Sequence, residues 1–185
     1  MLNRTSPFVF EAPNGILSGR DRGEALLDQL MDHLRDVDSD AVTPLDFANV
    51  SFIDISCADE FLSKLLMRIG SGELGNRFAF VENANDSVRE TLEAVLKLRD
   101  LAALFKNDDG SIVVLGTLKT PIREALDVVL QKKKGTSSEF AEALQKNINI
   151  ACNRLNALQK MGLVCRVRDG SVDGGGRQFY YESIV

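Results

Sequence analysis

The sequence predicts a mixed α/β (α+β) protein in two parts, residues 1–116 and residues 117–185. In the first part, short apolar segments alternate with amphipathic helices, which indicates a sheet with helices packed on it. In the second part, two helices joined by a turn precede two apolar segments, which indicates a helix-turn-helix followed by a β-hairpin. Charge changes at the same boundary, because Lys and Arg against Asp and Glu give a net charge of −9 before it and +4 after it.

Hydrophobic spacing and turn residues define the elements of residues 1–116. The helix over residues 86–98, for example, brings Val88, Leu92 and Val95 to one side. Pro44 lacks a backbone N–H, so we expect it at a strand start, a bulge or a sheet edge. Strands are predicted over residues 8–12, 41–47, 50–53, 77–81 and 111–115, and helices over residues 21–37, 58–69 and 86–98.

Residues 117–185 carry strong local signals for helix boundaries. Pro121 suits the first turn of a helix that continues to Lys134. Thr136 and Glu139 form a candidate capping box for a short helix over residues 140–144. A turn of three or four residues then leads to a long helix, which begins near Asn147 and ends before Gly162. Strands are predicted over residues 163–168 and 178–182, with a glycine-rich loop over residues 169–177.

The long helix has two contrasting sides. Its apolar side consists of residues at helical spacing: Ile148, Ala151, Cys152, Leu155 and Leu158. Its polar side consists of Asn149, Asn153, Asn156 and Lys160, which recur at steps of three or four. Asn is a mediocre helix former, but its carboxamide pairs bidentately with adenine in the major groove. The polar side is therefore interpreted either as a DNA-reading surface or as a solvated face.

The order short helix, turn, longer helix and hairpin predicts a winged helix-turn-helix domain. From about Leu118, the chain resembles winged-helix transcription regulators of the MarR type. In that family a leucine, three residues and Gly-Leu-Val close the recognition helix, as do Leu158 and Gly162 to Val164 here. The resemblance implies that the long helix enters the major groove and that residues 169–177 form the wing, where Asp169 and Asp173 depart from a basic pattern.

This resemblance leads to a specific hypothesis for contacts to double-stranded DNA. Asn149, Asn153 and Asn156 would face base edges. Backbone phosphates would be contacted by the basic residues Lys146, Arg154, Lys160 and Arg177. A net charge of +4 is small for a DNA-binding domain, and a homodimer would double this basic surface.

Residues 45–62 carry a second resemblance. The sequence from Leu45 to Phe47, followed by Val50 and the Ala-Asp-Glu-Phe block that ends at Phe61, is similar to the STAS-like family. The similarity covers roughly residues 16–105 and includes the anti-sigma factor antagonists. It implies a protein partner, an ATPase-like kinase in those antagonists, whose complex is broken by phosphorylation of a serine.

The residues that the STAS resemblance assigns to partner binding or phosphorylation are Asp54, Ser56, Asp59 and Glu60. In the antagonists the serine directly follows the aspartate, whereas Ile55 stands there in this chain, so Ser56 would be a displaced acceptor. The residues themselves also suggest structural roles. Ser56 or its neighbour suits a helix cap, and for Ser56 we prefer this role over a phosphoacceptor. Asp59 and Glu60 suit the positive end of a helix dipole.

Other residue types restrict the function further. The cysteines Cys57, Cys152 and Cys165 are interpreted as reduced core residues of a cytoplasmic protein, and no apolar run reaches membrane-spanning length. His33 is the only histidine, so we expect no catalytic Ser-His pair and no multi-histidine metal site. The sequence also has no phosphate loop, paired-carboxylate motif or metal cluster, so we expect no metal and no cofactor. The sequence therefore predicts a DNA-binding regulator whose first domain receives a partner signal. The alternative is an interaction module of a partner-switching pathway, and an enzyme is the weakest interpretation.

Overall fold

The computed structural model of this chain describes residues 2–35, 37, 39–171 and 177–185, and it confirms the mixed α/β class. Nothing is described of the side chains of residues 168–171, 177 and 178. The strands of the first part are β1 (Asn3–Arg4), β2 (Phe8–Val9), β3 (Ile16–Leu17), β4 (Ala41–Asp46), β5 (Phe52–Ile53), β6 (Arg77–Glu82), β7 (Ala102–Lys106) and β8 (Ile112–Gly116). Its helices are α1 (Arg20–Arg35), α2 (Ile55–Ala58), α3 (Lys64–Ser71) and α4 (Asp86–Leu98).

A six-stranded mixed sheet forms the centre of the first part, as alternating strands and helices predict. Its order is β1-β4-β6-β7-β8, with β2 also paired to β4, and only the β7–β8 pair is antiparallel. A separate parallel pair joins β3 to β5. Pro44 lies inside β4, where β1 pairs with the residues before it and β2 with the residues after it. The strand therefore tolerates Pro44 because the missing donor falls at the break between two short edge strands.

Helices α2 and α3 form one continuous helical run around a π turn at Asp59–Ser63. This run packs against α1 and places Phe61 in the core, where its ring contacts Phe10 edge to face at 5.2 Å between centroids. Helix α4 covers the neighbouring part of the sheet with Val88, Leu92 and Val95, as its spacing predicts.

One predicted helix start in the first part is wrong, and the strands β1, β3 and β7 were not predicted. The helical run begins at Ile55 rather than Ala58, and Asp54 caps it by accepting a hydrogen bond from the Cys57 backbone N–H at 2.7 Å. The predicted cap, Ser56, lies inside the first turn. Strand β7 was not predicted, because only three residues separate α4 from Ala102 and none is Gly or Pro. The turn forms at Asp100, which adopts a left-handed backbone with φ 54°.

The second part contains α5 (Thr120–Lys132), β9 (Lys134–Thr136), α6 (Ser137–Ala143), α7 (Ile148–Lys160), β10 (Val164–Ser171) and β11 (Arg177–Ser183). The predicted capping box is present: the Thr136 hydroxyl accepts from the Glu139 N–H, and the Glu139 carboxylate accepts from the Thr136 N–H. It opens α6 three residues earlier than expected. Gly162 follows α7 with φ 73°, as predicted for a left-handed helix end.

The hairpin strands β10 and β11 are antiparallel, and the unpredicted strand β9 adds to the outer side of β11. Strand β9 spans only three residues and has no hydrophobic alternation, so the sequence carries no signal for it. The predicted loop over residues 169–177 contains residues 172–176, which lie outside the described part of the chain.

The end of α7 packs against helix α3, and this contact joins the two parts of the chain. A β-carbon on Gly70 would lie 2.9 Å from the Lys160 carbonyl oxygen. On Gly162, a β-carbon would lie 2.6 Å from Cγ2 of Ile69. Buried residues of both parts belong to one continuous hydrophobic core. Two glycines thus allow the helices to approach closely enough for this core to continue across the junction.

Candidate functional site

The N-terminal half of α7 carries exposed polar residues. Asn147 caps the helix, and its side-chain oxygen accepts a hydrogen bond from the Ile150 backbone N–H at 2.9 Å. Lys146, Asn149 and Asn153 are exposed, and none of these three side chains makes a hydrogen bond or ion pair among the described contacts. Their donors and acceptors are available to an external ligand.

The apolar side of α7 is buried over only part of its predicted length. Ala151, Leu155 and Leu158 are buried, as expected. Ile148 is 51% exposed, so its assignment to the buried stripe is wrong, and Ile150 is exposed beside it. Helical spacing identifies a side of a helix, but neighbouring elements decide which turns of that side are covered. The first turn of α7 therefore combines exposed isoleucines with exposed carboxamides.

Two polar side chains farther along α7, Arg154 and Asn156, make contacts inside the protein. The side-chain oxygen Oδ1 of Asn156 accepts a hydrogen bond from the Tyr181 hydroxyl at 2.8 Å, so the expectation that Asn156 lies on a freely exposed face is wrong. Arg154 was predicted to contact phosphate, but its side chain is only 14% exposed and pairs with Glu124 at 3.0 Å. Lys160 is exposed, although its carbonyl lies at the α3 junction.

The sequence carries no signal that Tyr181 is a partner of α7. The alternation of residues along a strand predicts which of them share a face with Tyr181. The contact to Asn156, however, depends on how the hairpin packs on the helix. Burial raises the pKa of the Tyr181 hydroxyl, which therefore remains a neutral donor to Asn156. The predicted phosphate contact Arg177 and the wing acids Asp169 and Asp173 have no described side chains.

A second polar cluster surrounds the start of α2. Asp54 accepts hydrogen bonds from the Ser18 hydroxyl, the Gly19 backbone N–H and the Cys57 backbone N–H. Burial alone would raise the pKa of Asp54, but these hydrogen bonds outweigh it and lower the pKa below the ordinary value. The carboxylate thus remains ionised and ties the loop before α1 to the first turn of α2.

The π turn holds Asp59 and Glu60 in ion pairs. Arg99 binds Asp59 through two nitrogens, with Nε at 2.7 Å, and this bonding lowers the pKa of Asp59 despite partial burial. Glu60 is buried and pairs with Lys64 and, at 3.4 Å, with Arg20. These acids are more than favourable charges near a helix dipole, because each is neutralised by a basic side chain from its surroundings.

Exposed apolar residues adjoin this cluster. Ile55 is 54% exposed and, together with Leu98, borders a shallow cleft that also contains Asp59 and Arg99. Ser56 is half-buried beside Ile55. Cys57 is fully buried, and burial raises the pKa of its thiol to about 11, so it is protonated at neutral pH. The surface at this point is apolar with ion pairs at its centre.

No family model matches this chain, and a search of curated proteins finds no match. Within the described residues, no helix is long and apolar enough to cross a membrane. The described His, Cys, Asp and Glu side chains form no cluster of three or more that could hold a metal ion. The candidate sites therefore depend on the geometry of α7 and of the π turn.

Proposed function

We propose that this chain is a non-catalytic, DNA-binding transcription regulator. In this proposal residues 117–185 form a winged helix-turn-helix domain, and residues 1–116 form a STAS-like domain that receives a signal from a protein partner. A homodimer would present two copies of α7 to the two halves of a palindromic site.

The observation that carries the proposal is the unoccupied polar surface at the start of α7. Lys146, Asn149 and Asn153 are exposed within two turns of the helix N-terminus, and no described contact uses their side chains. Recognition helices commonly contact base edges with their N-terminal residues. Asn can pair bidentately with adenine, and an exposed isoleucine can contact a thymine methyl group. Farther along α7, Arg154 and Asn156 are bonded internally, so the best-placed contacts lie in the N-terminal half, and Lys160 is exposed at the end of the helix.

The test begins with selection of a binding site from random-sequence DNA, using the full chain at two salt concentrations. Asn153→Ala is expected to weaken binding to the selected site by about 1–3 kcal/mol, because a bidentate base contact is lost. Non-specific binding should be almost unchanged. Lys146→Gln should weaken binding to all sequences and reduce the salt slope by about 1.

Asn156→Ala is the matched control, because it removes the same side chain from the same helix. The Asn156 carboxamide is bonded to Tyr181, so this variant should lower thermal stability without changing sequence preference. Equal loss of specificity in both variants would contradict the proposed geometry. The absence of any salt-dependent DNA affinity would contradict the function itself.

A second candidate function is a protein-interaction module without DNA binding, with an ATPase-like kinase as the partner. The exposed Ile55 and Leu98 beside the Asp59–Arg99 pair favour it, because exposed apolar side chains next to polar ones are typical of interaction surfaces. Ile55→Asp should abolish capture of such a partner, while Ile148→Asp should leave it intact. The second function would be supported if no DNA binding were detected and only Ile55→Asp lost the partner.

A further inference from the structure

Strand β8 forms one edge of the six-stranded sheet. Its inner side pairs with β7 along its whole length, from Ile112 to Gly116. Among the described residues, no strand pairs with its outer side. Ile112, Val113 and Val114 are only partly buried, so apolar side chains reach this edge together with backbone groups. An edge of this kind is a template for pairing with another strand.

The opposite edge of the same sheet is protected against such pairing. It consists of β1 and β2, which have two residues each, and it carries Arg4 on β1 and Pro7 between the two strands. Short strands, charge and proline are common means of blocking a sheet edge. Strand β8 is longer, and residues 111–117 contain no charged residue and no proline. The sheet is therefore blocked at one edge and open at the other.

The hydrogen bonds to β7 show which backbone groups of β8 point outward. The Ser111 carbonyl oxygen accepts from the Asn107 N–H, and the Thr117 N–H donates to the Leu101 carbonyl oxygen, each at 2.9 Å. Bonded and outward-pointing residues alternate along an antiparallel strand. The odd-numbered residues of β8 therefore bond to β7, and its even-numbered residues point their backbone groups to the open edge.

One of these outward groups already has a partner within the chain. The Gly116 N–H donates to the Glu93 carboxylate at 2.7 Å, which closes this end of the edge to a new acceptor. Ile112 and Val114 keep both their N–H and their carbonyl groups directed outward. The open part of the edge thus offers two donors and two acceptors, separated by Val113.

We propose that β8 pairs antiparallel with β8 of a second copy of this chain, about a twofold axis at Val113. In this register Ile112 of each copy pairs with Val114 of the other. The two N–H groups from each copy then make four hydrogen bonds, and the Gly116 N–H is not needed. The two Val113 side chains lie opposite each other at the axis, in the closer, non-hydrogen-bonded type of pair.

The charges that flank β8 fit an antiparallel pair of identical strands. The turn before the strand carries Asp108 and Asp109, both exposed. Hydrogen bonds from Ser111 lower the pKa of Asp109, so this carboxylate is ionised at neutral pH. The exposed Lys119 follows the strand at the start of α5. Antiparallel pairing brings the acidic turn of each copy towards Lys119 of the other, whereas parallel pairing would bring like charges together.

The interface can be tested on the full chain without DNA. Sedimentation equilibrium at micromolar concentrations should show a dimer. Val113→Lys and Val113→Glu should each weaken self-association at least about tenfold, because like charges would meet at the twofold axis. An equimolar mixture of the two variants should restore dimers, since each lysine then faces a glutamate. This recovery distinguishes a lost interface from a misfolded protein.

Val114→Pro tests the backbone part of the interface. It removes an outward N–H without removing a bond to β7, so it should give monomers with an unchanged circular dichroism spectrum. Val9→Lys is the matched control for Val113→Lys, because Val9 is exposed on β2 at the opposite edge of the sheet. This variant should dimerise like the wild-type protein.

A monomeric wild-type protein, equal weakening by Val9→Lys and Val113→Lys, or no recovery in the mixture would overturn the proposal. The interface does not depend on DNA binding, although it would serve the homodimer of the proposed function. A monomer would therefore remove this interface and leave the proposed function to the DNA-binding assays.

Discussion

Helices α2 and α7 begin in the same way but face different surroundings. Each follows a capping side chain, Asp54 or Asn147, that accepts a hydrogen bond from the backbone N–H three residues later. Each then places an isoleucine at the surface, Ile55 or Ile148. The local sequence rule for starting a helix is therefore the same in both parts of the molecule.

The difference lies in the polar side chains that follow. Beyond α2, Asp59 and Glu60 are neutralised by basic residues, while beyond the start of α7 the described side chains Asn149 and Asn153 have no internal partner. A surface whose charges are already paired offers a partner mainly apolar area. A surface with unused carboxamides can discriminate hydrogen-bond patterns. For this reason we propose base reading for α7 and protein binding for the π-turn region.

The junction between these regions should be the most sensitive to mutation. Gly162→Ala should destabilise the protein by about 2–4 kcal/mol, because it combines a left-handed backbone with a β-carbon 2.6 Å from Ile69. Gly72→Ala is the control, since Gly72 has φ 80° but no atom within 4 Å of an added β-carbon. That variant should cost only about 1 kcal/mol. Urea unfolding measures both, and equal losses would mean that the α3–α7 contact adds no constraint.

Removing the two capping side chains should lower the free energy of unfolding by less than Gly162→Ala does, and by different amounts at the two helices. Asp54→Ala loses bonds to Ser18, Gly19 and Cys57 and should cost about 2–3 kcal/mol. Asn147→Ala loses the bond to Ile150 and should cost about 1 kcal/mol. Equilibrium unfolding at neutral pH compares them, and a greater loss at Asn147 would contradict the role given to Asp54.

Acid should distinguish the same two variants. The folded pKa of Asp54 is lowered from the ordinary value of 3.8, so its stabilisation is present above that value and disappears as pH falls through the folded pKa. The difference in the free energy of unfolding between wild type and Asp54→Ala should therefore shrink in strong acid. Asn147 does not titrate, so the difference for Asn147→Ala should stay constant over the same range.

The sequence predicted helix termini better than surface environments. Pro121, Thr136 and Gly162 act within one turn of their own helices, and their predicted roles are confirmed. The exposure of Ile148 and the bond from Tyr181 to Asn156 depend on packing between elements that are distant in sequence. Single-sequence patterns carry little information on such contacts.

The same limit applies to the π-turn cluster. Asp59 and Arg99 are 40 residues apart, so no local spacing could pair them. The DNA-binding hypothesis therefore retains Lys146, Asn149 and Asn153 as its best-placed residues, while Arg154 and Asn156 have structural roles.

The smallest expected effect separates the two isoleucines. Ile55→Ser and Ile148→Ser should each change the free energy of unfolding by no more than about 0.5 kcal/mol, because both side chains are already largely exposed. Their effects on binding should differ. Ile148→Ser should weaken DNA binding by about 1 kcal/mol or less through loss of apolar contact in the major groove, and Ile55→Ser should leave it unchanged. If Ile55→Ser weakened DNA binding as much as Ile148→Ser, the surface near α2 would also contribute to DNA binding, and the division of roles between the two helices would fail.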